Sequence, residues 1–246
     1  MSSIVEKRDA VRGVESPPYR DGMPISRDDF RRLFNEPPYL TRAERIDGVL
    51  VMPAASVRLR QHGQPHSRLI HWLHSYQDAT LGVETSVTTT ASMGEARDPE
   101  PDALMFISPD AGGRCQIVPG DYLEGAPELV AEISASTIAK DLGRKLQIYE
   151  EYGAEEYIVC LTETDEIRWF RLRNGKYQRL VADAQGILRS EVFPGLWLDV
   201  PAIIGGDMRR ALEVLAHGLA TAEHEAFSQR LDRERANRKE LEGGQS

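Results

Sequence analysis

One short run constrains this chain more than any other: Leu129-Val-Ala-Glu-Ile-Ser, an apolar strand with an acid in its middle. Successive side chains of a strand point to opposite faces. Val130, Glu132 and Ser134 therefore share one face, and Leu129, Ala131 and Ile133 share the other. An ionised glutamate in such a run is costly unless it is paired or metal-bound. Whatever the fold, it has to bring a cation to Glu132.

A candidate cation lies in the next element. Residues Asp141 to Tyr152 read as a helix, with Leu142, Leu146 and Tyr149 at i, i+4 and i+7 and Gly153 as its stop. Lys145 falls one turn in, beside the Leu142/Leu146 side, from where its ammonium can reach back towards Glu132. Lysine is scarce here. Of 30 basic residues only Lys7, Lys140, Lys145, Lys176 and Lys239 are lysines; the others are arginines. A lysine kept in such a chain can mark a place that needs a compact ammonium, although drift is the simpler account of any single one. A plain Glu132–Lys145 ion pair that pins helix to sheet explains both residues, and from the residues alone it is the preferred account.

The remaining pattern alternates helix and strand. Ser26 caps a short helix with Phe30, Leu33 and Phe34 on its apolar side, ended by Pro37-Pro38. Glu44 to Met52 reads as a hairpin turning at Asp47-Gly48. Pro65 to Thr80 reads as a helix burying Leu69, Ile70 and Leu73. Strands are expected over 83–90, 102–107, 156–161, 166–172 and 176–180, with a tight turn at Asn174-Gly175, and 111–127 reads as a long loop. Phe193 to Leu198 is expected to finish the sheet region. Leu212, Leu215, Leu219, Ala222 and Ala226 form a heptad-like seam of about two heptads. The expected organisation is an N-terminal arm (1–22), one domain (23–205) and a helical tail (206–246) that packs on the domain or on a partner chain.

Composition excludes several function classes. No apolar run approaches the ~20 residues of a membrane-spanning helix. The first fifteen residues lack the apolar stretch of a secretory signal, so a cytoplasmic location is expected. The net charge of −9 argues against coating DNA by bulk electrostatics. It leaves room for a phosphodiesterase whose bound cations offset acidic ligands. Cys115 and Cys160 form no CxxC pair and are expected to be free thiols. There is no Walker loop, GxGxxG, HExxH or GxSxG motif. His62, His66, His71 and His74 lie close in sequence, with His71 and His74 expected at the helix surface. Asp98 and Glu100 are expected to be solvated turn acids, Asp141 a helix cap, and Arg168, Arg171 and Arg173 part of an exposed charged hairpin.

Taken in order, several segments resemble one family. They are Glu44-Arg-Ile-Asp-Gly, His66 at a helix start, Pro101-Asp102, Glu128-Leu-Val-Ala-Glu-Ile-Ser, Ser136-Thr137, Asp141-Leu-Gly-Arg-Lys145, and Tyr149 followed by Gly153-Ala-Glu-Glu-Tyr-Ile-Val. They look like the Uma-two family of "putative restriction endonucleases", within the PD-(D/E)XK nuclease superfamily. The likeness runs from about Ser26 to Asp199 and is most specific from Glu128 to Val159. It implies an α/β (α+β) restriction-endonuclease-like core: a mixed central β-sheet flanked by helices, with acids on adjacent central strands. It also implies a catalytic set of Glu44, Asp102, Glu132 and Lys145. Mg²⁺ or Mn²⁺ would be held by Asp102, Glu132 and the carbonyl of Ile133. Ser134 occupies the place of the superfamily's usual lysine, and Lys145 fits as its replacement from the helix. Val49 stands where the family commonly has an acid after the hairpin glycine. His66 matches a family position at the helix start and is expected to line the cleft.

The resemblance makes the chain an expected metal-dependent endonuclease acting on DNA. It is also an expected homodimer, because cutting both strands often pairs two sites and the heptad seam offers an apolar edge. Two other readings stay open. One is a catalytically silent nuclease-fold protein used for binding or assembly, which the acidic charge favours. The other is a hydrolase of RNA or another phosphodiester. The trio of Asp102, Glu132 and Lys145 favours the enzyme, since binding alone needs no such set.

Overall fold

Buried strands and amphipathic helices assemble around a six-stranded sheet in this computed structural model, which describes residues 19–35, 42–52 and 57–243. Most of the expected N-terminal arm and Pro37-Pro38 lie outside the described residues. In chain order the elements are α1 (Arg27–Asn35), β1 (Glu44–Ile46), β2 (Val49–Val51), α2 (Gln64–Asp78), β3 (Val83–Val87), β4 (Ala91–Ser92) and β5 (Ala103–Ile107). Then come β6 (Gln116–Val118), β7 (Tyr122–Glu124), β8 (Leu129–Ser134), α3 (Ile138–Lys140), α4 (Leu146–Tyr152), β9 (Glu156–Leu161), β10 (Glu166–Arg173) and β11 (Lys176–Arg179). The chain closes with β12 (Ile187–Arg189), β13 (Trp197–Asp199), α5 (Val200–Gly205), α6 (Met208–Leu219) and α7 (Ala222–Gly243). Two π-helical turns interrupt this order: Leu59–Gly63 leads into α2, and Asp141–Lys145 joins α3 to α4.

The main sheet runs β11-β10-β9-β8-β5-β3. β8 and β9 are parallel and joined by the helical crossover of residues 138–152, while the other neighbours are antiparallel. β8 and β9 are buried along their whole length, as strands covered on both faces must be. The alternation in β8 holds. Leu129, Ala131 and Ile133 pack in one core with Leu69, Trp72, Leu73 and Tyr76 of α2 and with α5 to α7. Val130 faces the other core, with Ile148 and Tyr149 of α4. The result is a mixed sheet between helical layers.

The local expectations for α1 and the hairpins are met. Ser26 Oγ accepts the Asp29 amide and donates to its carboxylate, capping α1. Asp47 and Gly48 (φ 54° and 77°) turn the β1–β2 hairpin, and Asn174 and Gly175 (φ 52° and 74°) turn β10–β11. α1 and the first hairpin share a small core of Ile25, Phe30, Leu33, Ala43 and Leu50.

Three expectations are corrected. The stretch read as a loop over 111–127 holds β6 and β7, which join β4 in a three-stranded sheet. Strands of three residues are too short to show a hydrophobic period. The segment 193–198 does not extend the main sheet, because β13 pairs with β12 in a separate two-stranded sheet. The heptad seam is not one stripe. The helix breaks between Leu219 and Ala222, and the buried positions become Ala211, Val214, Leu215 and Gly218 on α6, then His224, Phe227 and Leu231 on α7. Ala222 and Ala226 are exposed. Both helices contribute to the same core as α2, and Arg235 holds α7 to Asp110 at 2.9 Å.

α6 approaches the 193–198 segment closely because Gly218 has no side chain. A Cβ there would lie 2.2 Å from the Gly195 carbonyl oxygen and 2.9 Å from the Trp197 ring. Gly218→Ala is therefore expected to destabilise the protein by about 1–3 kcal/mol. At roughly 2–4 °C per kcal/mol for a chain of this size, thermal unfolding should show a loss of several degrees. An unchanged melting temperature would refute this packing.

Candidate functional site

The β5–β8 register places two acids together. Ala103 pairs with Ala131, so one residue further out Asp102 stands opposite Glu132. Both are almost fully buried. The amide of Ile133 donates to Asp102 Oδ2 at 2.8 Å, which clamps the carboxylate to the neighbouring strand. These groups form the floor of an open cleft of about 360 Å³.

The crossover supplies the cation that Glu132 requires. Lys145 Nζ lies 2.6 Å from Glu132 Oε1, and Tyr149 Oη, one turn on, donates to the same oxygen at 2.9 Å. The π-helical turn ends at Lys145. Such a turn holds an extra residue and changes the helix face that follows, so Lys145 and Tyr149 point together at the sheet. Lys145 Nζ also lies 2.8 Å from Glu44 Oε1, and Lys140 Nζ lies 2.5 Å from Glu44 Oε2. Glu44 additionally accepts the Glu100 amide at 3.1 Å. The four residues expected to act together, Glu44, Asp102, Glu132 and Lys145, thus meet in one cleft from four separate segments.

Other residues here have different places from those read in the sequence, which did not single out Arg42. His62, at the end of the first π-helical turn, places Nε2 3.2 Å from Asp102 Oδ1. His66 does not line the cleft; it sits behind it, with Nε2 2.7 Å from the Asp102 carbonyl oxygen. Arg42 bonds Glu100 at 2.9 Å and stands 3.7 Å from Asp102. Asp98 and Glu100 are buried, not solvated. Asp98 ties α1 and the hairpin to β4 through Arg27 (3.1 Å), Arg45 (2.6 Å) and Ser92 (2.6 Å). The alternation of Asp98, Glu100 and Asp102 was the signal for this, but the arginine partners come from residues 27–45 and only folding reveals them. Asp141 is not a terminal cap. It is buried within the helix and accepts from Thr137 Oγ1 at 2.5 Å. His71 is exposed, as expected, and Arg168, Arg171 and Arg173 are engaged in ion pairs.

Burial and charge set the protonation of the site. Burial pushes the Glu132 carboxyl up to about 8; Lys145 opposes this, while Asp102, Asp141 and Glu44 push the same way as burial. The shift is upward because one ammonium faces three neighbouring carboxylates in a buried site. Burial also pulls the Lys145 ammonium down, but Glu132 and Glu44 outweigh it and hold Lys145 charged well above its ordinary value. Asp102 is destabilised by burial, yet His62, the Ile133 amide and Lys145 bring it below the usual carboxylate range. Glu44 falls likewise, its two lysines overcoming burial.

A divalent cation fits the donor chemistry of the cleft. Glu44, Asp102 and Glu132 offer hard oxygens, the kind that Mg²⁺ and Mn²⁺ prefer. The lining holds six carboxyl groups, Glu44, Glu100, Asp102, Glu132, Asp141 and Glu163, against four fixed cations, Arg42, Arg58, Lys140 and Lys145. Among the described residues, however, no three His, Cys, Asp or Glu side chains stand ready as a ligand set. Lys145 lies between Glu44 and Glu132, and His62 and the Ile133 amide engage Asp102.

Comparison with known proteins agrees with this architecture. A family model described as "Uma2: Putative restriction endonuclease" matches residues 27–201. A crystal structure of a "putative nuclease belonging to DUF820" from Anabaena variabilis ATCC 29413 is similar with a TM-score of 0.55 at 12% sequence identity. The likeness covers 74% of this chain and 98% of that one. No curated protein matches the chain.

The raised Glu132 makes stability depend on pH. Between the ordinary carboxylate value and about 8 the unfolded chain releases a proton that the folded protein keeps. Wild-type stability therefore falls as pH rises through this window. Glu132→Gln lacks the titration, so its stability relative to wild type should rise between pH 5 and pH 8.5 by at least about 1.4 kcal/mol, the value of one pKa unit. Denaturant unfolding at the two pH values measures it, and a constant difference would contradict the assignment.

Proposed function

This chain belongs to the Uma2 restriction-endonuclease family, and from that premise we propose that it hydrolyses phosphodiester bonds of DNA with a divalent cation held in the Asp102–Glu132 cleft. The observation that carries the reading is the convergence of Asp102, Glu132, Lys145 and Glu44, which the sequence scatters over about a hundred residues. A structural ion pair needs only two of them.

Asp102 and Glu132, with the carbonyl of Ile133, are the residues that would hold Mg²⁺ or Mn²⁺. Such an ion, when bound, lowers the pKa of water and offsets charge on the phosphoryl oxygens. Lys145 is kept protonated by its acids, which supports a donor that orients water and stabilises developing charge, rather than a base. Hydrolysis joins the water oxygen to phosphorus and breaks one P–O ester bond. The water's proton passes to an acceptor in the cleft, and the departing oxygen takes up a proton. Glu44 would position water or join the ligand set once one of its lysines is displaced. His62 steadies Asp102 through their 3.2 Å contact.

One observation favours the second reading, a silent binding or assembly module. The acids of the cleft already have protein partners in Lys145, Lys140, His62 and Arg42, and the chain carries a net charge of −9. Metal binding separates the two. With Mn²⁺ at about 100 times its Kd the native state gains ~2.7 kcal/mol, so the melting temperature of wild type should rise by several degrees and that of Glu132→Ala should not.

Cleavage provides the direct test. Asp102→Ala and Lys145→Ala should each reduce DNA cleavage in Mg²⁺ or Mn²⁺ by roughly 10²-fold or more. Full wild-type activity in both variants would sink the nuclease reading. Substrate screens with RNA and DNA decide which phosphodiester is cut.

A further inference from the structure

Glu44 is held twice. Both of its carboxylate oxygens are taken by lysines, Oε1 by Lys145 at 2.8 Å and Oε2 by Lys140 at 2.5 Å. Two of the chain's five lysines thus meet at one carboxylate, in a protein whose remaining basic residues are arginines. The two lysines are not equivalent. The Lys145 side chain is 5% exposed and also bonds Glu132, whereas the Lys140 side chain is 35% exposed at the cleft mouth. Among the described residues the Lys140 ammonium has Glu44 as its sole side-chain partner.

This arrangement limits what Glu44 can do. It has no free oxygen facing the cleft until one ammonium leaves. Lys145 is confined between helix and sheet. Lys140 sits on a flexible four-carbon stem beside water, and its compact charge can trade one anion for another. An arginine there would be a poorer exchanger, since its fork clamps a carboxylate through two parallel bonds. Nucleic acid entering the cleft passes the mouth first and brings phosphate oxygens to Lys140.

We propose that Lys140 is a substrate-sensing positioning residue: without nucleic acid its ammonium covers Glu44, and a backbone phosphate at the cleft mouth draws it away, freeing Glu44 for a divalent cation. The inference rests on the metal-dependent nuclease reading. It adds that substrate and metal bind with positive coupling, and coupling of this kind is reciprocal. Removing Lys140 uncouples them in opposite directions. The cleft loses a cation that competes with the metal, and the mouth loses a phosphate contact.

The test uses the full chain with Lys140→Gln and Lys140→Arg, read by calorimetric titration of MnCl₂ alone and by anisotropy of a short fluorescent DNA duplex in Ca²⁺ over a range of salt. Lys140→Gln should bind Mn²⁺ roughly tenfold more tightly, as expected when a neighbouring positive charge is removed. Its plot of log affinity for DNA against log salt should be shallower by about one, the loss of a single phosphate contact. Lys140→Arg should keep the wild-type salt slope and bind Mn²⁺ no more tightly than wild type. A residue with a purely structural role would not move metal and DNA affinity in opposite senses. Unchanged or weaker Mn²⁺ binding by Lys140→Gln, or an unchanged salt slope, overturns the proposal while leaving the nuclease reading standing. Absence of Mn²⁺ binding by both the wild type and Lys140→Gln, with and without the DNA duplex, overturns both.

Discussion

The buried contact of Glu132 on β8 with the Lys145 ammonium of the crossover, 2.6 Å apart, is what the rest of the site depends on. The Lys145 ammonium is not tolerable alone in that position, nor is Glu132 once ionised. Burying an unpaired ion costs several kcal/mol, and removing one partner of a buried pair typically costs about 3–5 kcal/mol. The crossover helix must therefore dock with Lys145 over β8. That docking carries Tyr149 to the same oxygen and Lys140 to Glu44. One electrostatic requirement thereby sets the orientation of a whole element.

The walls of the cleft are built in the same way on both sides. A π-helical turn ends at Lys145 on one wall, and another carries His62 on the opposite one. Each is wound more widely than an α-helix, which shifts the direction of the side chains it carries. The hairpin that brings Glu44 is fastened separately. Asp98, buried beneath Arg27 and Arg45, ties α1 and β1 to β4, so Glu44 approaches from a rigid support. Its position depends on an ion-pair cluster that touches no part of the cleft floor.

The cleft is consequently both strongly paired and short of positive charge. Its buried acids are all hydrogen-bonded or ion-paired, yet carboxyl groups in its lining outnumber fixed cations by two. Burial pushes Glu132 and Glu100 upward while the lysines and His62 pull Glu44 and Asp102 down. Such an arrangement holds the acids together before any ion arrives and leaves them with charge still to be met. This is consistent with a protein that releases part of its own pairing when a divalent cation and a phosphate enter.

Local sequence determined a good deal here. Period-2 alternation was enough to put Glu132 on the α4 face of β8, the Asp-Gly and Asn-Gly dipeptides specified two hairpins, and the Ser26 cap and Gly153 stop marked helix ends. The ordered likeness to a nuclease family indicated Glu44, Asp102, Glu132 and Lys145 together. Those signals are legible because they lie within a few residues of each other or in a recognisable series. The partners of Asp98 and Glu100, the place of His62 on Asp102, the pairing of Lys140 with Glu44 and the break in the C-terminal seam were decided only by tertiary structure. Each joins residues whose separation in sequence bears no relation to their distance in space, or turns on one extra residue in a helix. Burial, which gives an ionised group its need for a partner, exists only after the chain has folded.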